Sequence, residues 1–294
     1  MKIAVFTKNR DNPAYAAARL GADRAAARLG ARTVHYVPQL ADDPAQQSAL
    51  IEQALAERPD AMVLVPVHPT AVNPAIRRIN AARISLVGYI NRFTDGQCIS
   101  FVGSDDYALA LAIARHLFLR MGGKGDVAIV EGPAESVTSI ARVRGFRDAA
   151  AAYPGIRIAA ACDGRYLLEP ARAAVAALLA AHGRIDAILA ANDIMAIGAT
   201  EALRAARRRA LLVGVNAIPQ AIAAIKSGDM VASADFNAMN MACIATECAI
   251  RHLRGEPVPK EIILPVEIVD RSNCDRWERP YEDRPCPEWD EVGK

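Results

Sequence analysis

The densest chemistry in the chain lies in residues 188–199. Ile188, Leu189, Ala190 and Ala191 form a short apolar run, Asn192-Asp193 is a polar pair, and Ile194-Met195-Ala196-Ile197-Gly198-Ala199 opens an apolar helix. The pattern predicts a buried strand ending in an amide and a carboxylate where a helix begins. In an open α/β sheet, ligands sit beyond the carboxyl ends of the strands. There Asn192 offers both a donor and an acceptor, and Asp193 can cap the helix. Taken alone, the pair equally suits two capping residues.

The same design recurs along the chain. The run 2–6 leads into Lys8, Asn12 and Pro13, the run 61–66 into His68, and the run 85–90 into Asn91-Arg92. The run 99–102 leads into Asp105-Asp106, 126–130 into Glu131, and 211–215 into Asn216. Apolar runs this continuous suit strands covered on both faces, and their alternation with helical patterns predicts parallel βαβ units. Two successive α/β blocks are expected, the second starting after residue 103. A helix over 238–254 and a strand over 262–269 follow. From Arg271 to Lys294 the composition turns charged and proline-rich and holds both tryptophans. This tail is expected to pack on the outside of the second block, with Trp277, Tyr281 and Trp289 as its docking rings.

Composition removes several classes of function. A net charge of +2 gives no bulk attraction to nucleic acid. Arg204 and Arg207-Arg208-Arg209 fall at a helix end, where basic side chains suit the negative pole. No apolar run approaches the length of a membrane span. The first strand begins at Lys2, so the reading is of a cytosolic chain or of one whose export signal has been removed. The cysteines, Cys98, Cys162, Cys243, Cys248, Cys274 and Cys286, show no CxxC pair and no zinc spacing, so free thiols and no bound metal are expected. A Cys274–Cys286 bridge within the tail is the alternative to free thiols. No Gly-x-Ser-x-Gly elbow or phosphate loop is present, and Asp105-Asp106 suits helix capping better than acid–base work, so no enzyme and no cofactor are expected. His68 reads as a structural loop residue, and Tyr89 as core.

Six motifs, in order, resemble the type I periplasmic sugar-binding proteins of ABC importers, the ribose-binding-protein-like family. They are Asn12-Pro13-Ala14-Tyr15, Asn91-Arg92, Arg142-Val143-Arg144-Gly145-Phe146, Asn192-Asp193-Ile194-Met195-Ala196, Val213-Gly214-Val215-Asn216 and Asp235-Phe236-Asn237. The resemblance implies an α/β fold of two doubly wound parallel-sheet lobes joined by three hinge crossovers, near 103–104, 235–236 and 264–265. Residues 1–103 and 237–264 would form one lobe, and 104–236 and 265–294 the other. It also implies a ligand in the cleft between the lobes, gripped by hinge closure.

Each hydroxyl of such a ligand needs a donor and an acceptor once water is excluded. The candidate ligand residues are therefore Asn12, Tyr15, Asn91, Arg92, Arg142, Tyr166, Asn192, Asn216, Asp235 and Phe236, with Lys8 as a further one. Asn12 equally suits a helix cap, and Arg142 a solvated helix position. The family's two hydroxyl-binding acids appear here as Asn91 and Asn216, and its first aromatic after Asn-Pro as Ala14. A sugar, a polyol or a sugar acid all fit this set. The partners implied are that small molecule and a membrane ABC permease, for a monomer working in the periplasm without nucleic acid. The competing reading is the effector core of a regulator resembling the lactose repressor, without its DNA-binding head.

Overall fold

The computed structural model describes residues 1–292. The chain begins with β1 (Lys2–Phe6), α1 (Pro13–Arg28), β2 (Arg32–Tyr36), α2 (Pro44–Ala56), β3 (Ala61–Leu64), α3 (Asn73–Ala81), β4 (Ser85–Tyr89) and β5 (Ser100–Gly103). It continues through α4 (Asp106–Arg120), β6 (Lys124–Glu131), α5 (Val137–Ala151), β7 (Gly155–Asp163), α6 (Leu168–Ala181), β8 (Ala187–Ala190), α7 (Asp193–Ala205), β9 (Leu211–Val215), α8 (Pro219–Ser227) and β10 (Ala232–Asp235). After these come α9 (Ala238–Leu253), β11 (Glu261–Ile263) and β12 (Glu267–Asp270). The predicted strand over 262–269 is thus two strands in two sheets, parted at Leu264-Pro265. Proline has no N–H to carry a ladder onward.

One compact unit comprises Met1–Ser104, Asn237–Pro265 and the chain from Pro280; the other comprises Asp105–Phe236 and Val266–Arg279. The first holds a sheet of order β11-β5-β4-β3-β1-β2, parallel throughout. The second holds β12-β10-β9-β8-β6-β7, parallel except for β12, which runs antiparallel to β10. Both orders step from one side of the first strand to the other. That reversal is the switch point where doubly wound sheets open a crevice at their carboxyl edge.

The inner strands β3 and β8 are buried at every residue, as helices on both faces require. β2 and β7 lie at sheet edges and carry exposed residues, so neither stands out as an apolar run in the sequence. Alanine allows close helix packing: Ala17, Ala18, Ala22 and Ala25 of α1 are wholly or almost wholly buried. At Gly21 a Cβ would lie 2.3 Å from the Met239 carbonyl oxygen, so only glycine lets α1 approach α9 this closely. Asp43 and Asp105 accept hydrogen bonds from the N–H groups of Gln46 and Ala108 as helix caps. Arg208 donates to the carbonyls of Leu179 and His182 at the end of α6. Arg208 therefore closes the end of α6 rather than lying solvated at the end of α7, the helix it follows.

The tail departs from expectation. Residues 271–279 stay with the second unit, but the chain from Pro280 joins the first, a fourth passage between the units. There Cys286 forms a disulfide with Cys243 of α9, with Cα atoms 6.1 Å apart, while Cys274 is a free, buried thiol. The expectation of free thiols is thereby corrected for Cys243 and Cys286, and the alternative Cys274–Cys286 bridge is not formed, because bridging follows proximity in the fold rather than in the sequence. Cys98, Cys162 and Cys248 are free. Arg24 donates to the carbonyls of Glu282 and Arg284, and the Arg251 guanidinium lies 4.5 Å from the Trp289 ring centroid. The last two residues of the tail, Gly293 and Lys294, lie outside the described residues. Among the described residues no helix is long and apolar enough to cross a membrane, and no His, Cys, Asp or Glu cluster could hold a metal ion.

Candidate functional site

The candidate residues of the first unit lie beyond the ends of β1 and β4. Asn12 caps α1: its Oδ1 accepts from the Ala14 N–H at 3.0 Å, while its own N–H donates to Asn9 Oδ1 at 3.0 Å. The capping reading is therefore correct, and the side-chain NH₂ is what Asn12 can still offer as a donor. Tyr15 is buried in the first turn of the same helix. Lys8 is buried, with its Nζ 2.8 Å from Asp42 Oδ1. Its charge is thus balanced within the unit.

At the end of β4, Ile90 adopts a left-handed backbone, φ 60°, which is strained for a β-branched residue. This turn puts Asn91 under the neighbouring loop, where its Nδ2 donates to the Pro66 carbonyl at 3.0 Å. Its Oδ1 is buried and has no hydrogen-bond partner among the described residues. Arg92 turns away: it is exposed, lies 4.2 Å over the Phe101 ring centroid and pairs with Glu261. The expectation that Asn91 and Arg92 act together is not supported by this geometry. Successive residues leaving a strand project to opposite sides, and Glu261 of β11 captures the guanidinium. His68 is structural, its Nδ1 accepting from the N–H groups of Thr70 and Ala71.

In the second unit the candidates form one connected group. Arg142 of α5 is buried, donates from Nε to Asp106 Oδ1 at 2.7 Å and from Nη1 to the Ala191 carbonyl at 2.7 Å, and lies 5.4 Å from the Phe236 ring centroid. The solvated reading of Arg142 is thereby excluded. Asn192 caps α7 through its Oδ1, which accepts from the Met195 N–H at 2.8 Å, and its Nδ2 faces the Tyr166 carbonyl at 3.4 Å. The roles expected of the pair are exchanged. Asn192 supplies the cap, and Asp193 turns inward, where it accepts from Ser233 Oγ at 2.7 Å and from the Ile218 N–H at 3.0 Å. Burial, opposed by those hydrogen bonds, pushes the Asp193 carboxyl up to about 7. It ties the ends of β8, β9 and β10 together.

Tyr166 (φ 59°), Asn216 (φ 123°) and Ala217 (φ 50°) add further left-handed residues at strand ends. Strain of about 1–3 kcal/mol per residue persists only where the surroundings enforce it. The Tyr166 ring lies over Gly132, where a Cβ would come within 2.5 Å of it, and its hydroxyl is 3.1 Å from Thr138 Oγ1. Asn216 is buried at the end of β9, and its Oδ1, like that of Asn91, has no partner among the described residues. Asp235 ends β10, with Oδ2 2.7 Å from the Trp277 indole Nε1. Sequence reasoning missed Asp106, the partner of Arg142, and the Ser136–Thr138 hydroxyl pair beside Tyr166. It singled out Trp277 as a docking ring of the tail but not its contact with Asp235. For Asp106 the signal was the Asp105-Asp106 doublet, and one of its two residues is indeed a cap.

Residues 3–257 match the family described as the periplasmic binding protein domain. The chain belongs to the periplasmic binding protein family. It is similar to the D-ribose/D-allose-binding protein of Pseudomonas aeruginosa, with 31% identity over 77% of this chain and 75% of that one. It is also similar to the xylitol-binding protein of Mycolicibacterium smegmatis, with 25% identity over 80% of this chain and 68% of that one. Among solved structures, an ABC transporter periplasmic solute-binding protein from Actinobacillus succinogenes with bound D-allose superposes with a TM-score of 0.89 at 28% identity, covering 94% of this chain and 99% of that one. The two parallel-dominated sheets are therefore the type I periplasmic binding protein fold, and these relatives favour a binding protein over a repressor core or an enzyme.

Proposed function

We propose that this protein is the solute receptor of an ABC importer and binds one small, uncharged, polyhydroxylated molecule, a sugar or polyol, without converting it. The observation that carries this reading is two buried amide oxygens without a partner among the described residues, Asn91 Oδ1 in the first unit and Asn216 Oδ1 in the second. A buried acceptor without a donor costs about 1–3 kcal/mol, and a ligand hydroxyl restores the missing bond. Each oxygen is held in place by a left-handed backbone at a strand end. Arg142 and Lys8 are already balanced by Asp106 and Asp42, which disfavours a sugar acid. Tyr15, Tyr166 and Phe236 offer apolar faces for the C–H side of a ring.

Relatives that bind ribose, allose and xylitol support the same class. As the family resemblance implies, ligand capture proceeds by hinge closure about the connecting segments. The protein works as a monomer in the periplasm, where a disulfide such as Cys243–Cys286 is stable, and hands its ligand to a membrane permease. Nucleic acid is not a partner.

A thermal-shift and calorimetric panel of D-ribose, D-allose, D-arabinose, xylitol and myo-inositol tests the reading, with D-gluconate, a nucleotide and a short DNA duplex as contrasts. At least one neutral polyol should raise the melting temperature in a concentration-dependent way, and small-angle scattering should show a smaller radius of gyration. Response only to gluconate, the nucleotide or DNA would refute it.

A further inference from the structure

The segment 271–279 lies beyond the 3–257 span shared with the family, yet it reaches a candidate ligand residue. Its seat is built from several directions. At the end of β12, Asn273 Oδ1 accepts from the Asp270 N–H at 2.9 Å and its Nδ2 donates to the Ile268 carbonyl at 2.9 Å, turning the chain back along the sheet. Residues Cys274–Trp277 form a 3-10 turn. Lys226 at the end of α8 pairs with Asp275 at 3.0 Å and with Glu278 at 2.6 Å, one on each side of Trp277. Arg271 donates to the Lys226 carbonyl at 2.6 Å. Arg276 pairs with Glu267 of β12 and lies 4.8 Å from the Trp277 ring centroid.

The result is an indole buried to 9% exposure, with its N–H aimed at Asp235 Oδ2. Asp235 is itself buried to 9% exposure and carries part of the electrostatic surroundings of Asp193, together with Arg142. A buried carboxylate has several rotamers and two oxygens; an N–H aimed at one of those oxygens favours one orientation of the group. Indole is a donor only, so it can hold a carboxylate without competing for the ligand's donors.

We propose that Trp277 is a positioning residue of the ligand site: its indole N–H fixes the orientation in which Asp235 meets a ligand hydroxyl. The tail is thereby part of the receptor's recognition apparatus. This rests on the proposed function, since it supposes that Asp235 contacts the ligand.

The test is a double-mutant cycle of W277F and D235A, read by calorimetry with whichever panel sugar or polyol binds the wild type. W277F keeps an aromatic ring but removes the N–H donor together with part of the indole's volume, so the coupling in the cycle, not the single loss, reads the hydrogen bond. The W277F affinity should fall at least tenfold, and adding W277F to D235A should cost little more. A second readout uses W289F, which leaves Trp277 as the sole tryptophan. Saturating ligand should shift its emission, which a merely structural indole would not show. D235N should shift that emission without ligand. If W277F folds poorly, the W289F protein carries the test alone, because Trp277 is intact in it. W277F affinity within twofold of wild type, additive losses in the cycle, or emission unmoved by ligand overturns the inference. A wild type that binds no panel member overturns the proposed function and this inference together, whereas a wild type that binds normally beside an unaffected W277F overturns the inference alone.

Discussion

Replacing Asn216 with glycine should make the ligand-free protein more stable and the receptor worse. Asn216 sits at φ 123°, a backbone region that favours glycine, and its buried Oδ1 has no partner among the described residues. Glycine relieves backbone strain of about 1–3 kcal/mol. It also removes an unsatisfied acceptor that costs about 1–3 kcal/mol. Against this stand the extra freedom of glycine in the unfolded chain, about 1 kcal/mol, and the lost packing of a short side chain. The balance is a gain of about 1–2 kcal/mol, and each kcal/mol corresponds to a rise in melting temperature of about 2–4 °C. Binding should move the other way. Losing the acceptor for a ligand hydroxyl should weaken affinity by about 1.5–3 kcal/mol, roughly tenfold to more than a hundredfold. Urea unfolding without ligand and calorimetry with a bound panel sugar read the two quantities separately. An N216G protein that is less stable than wild type yet binds the sugar unchanged would refute the reasoning, because it would make Asn216 a structural residue.

The Asp193 carboxyl, held near 7 by burial against 3.8 for the free group, favours the protonated form in the folded state. Its contribution is therefore fully present below about pH 4 and lost as pH rises through about 7, with a ceiling of ~4 kcal/mol. D193N should flatten stability over that window in denaturant titrations at several pH values, and an unchanged slope would remove Asp193 as the cause. Arg142→Ala leaves the half-buried Asp106 carboxylate without its partner and should cost about 2–4 kcal/mol of stability as well as ligand affinity, whereas Asn192→Ala loses a helix cap worth about 1 kcal/mol; thermal melts of both decide it. Cys286→Ser opens a bridge spanning 43 residues and should cost about 4 kcal/mol by the chain-entropy argument. It should also expose the tail beyond Pro280 to trypsin, and a tail that stays protected would show that Arg24 and Arg251 hold it unaided.

The sequence by itself determined the class of fold and the ends of its strands. Short continuous apolar runs suit strands covered on both faces, and capping residues placed directly after them mark where helices begin. Asn91 and Asn216 were legible as candidates for that reason, and Asp235 only through the family resemblance. Edge strands β2 and β7 were not, because one open edge permits polar residues and erases the apolar signal. Only the tertiary structure decided which polar groups were already satisfied. Whether an amide caps a helix, as Asn192 does, or waits unpartnered, as Asn91 Oδ1 does, depends on neighbours distant in the chain. The same holds for the inward turn of Asp193, the capture of Arg92 by Glu261, the Cys243–Cys286 bridge and the approach of Trp277 to Asp235. Local pattern is set by backbone periodicity over a few residues, whereas hydrogen-bond satisfaction is set by which strand ends the fold brings side by side.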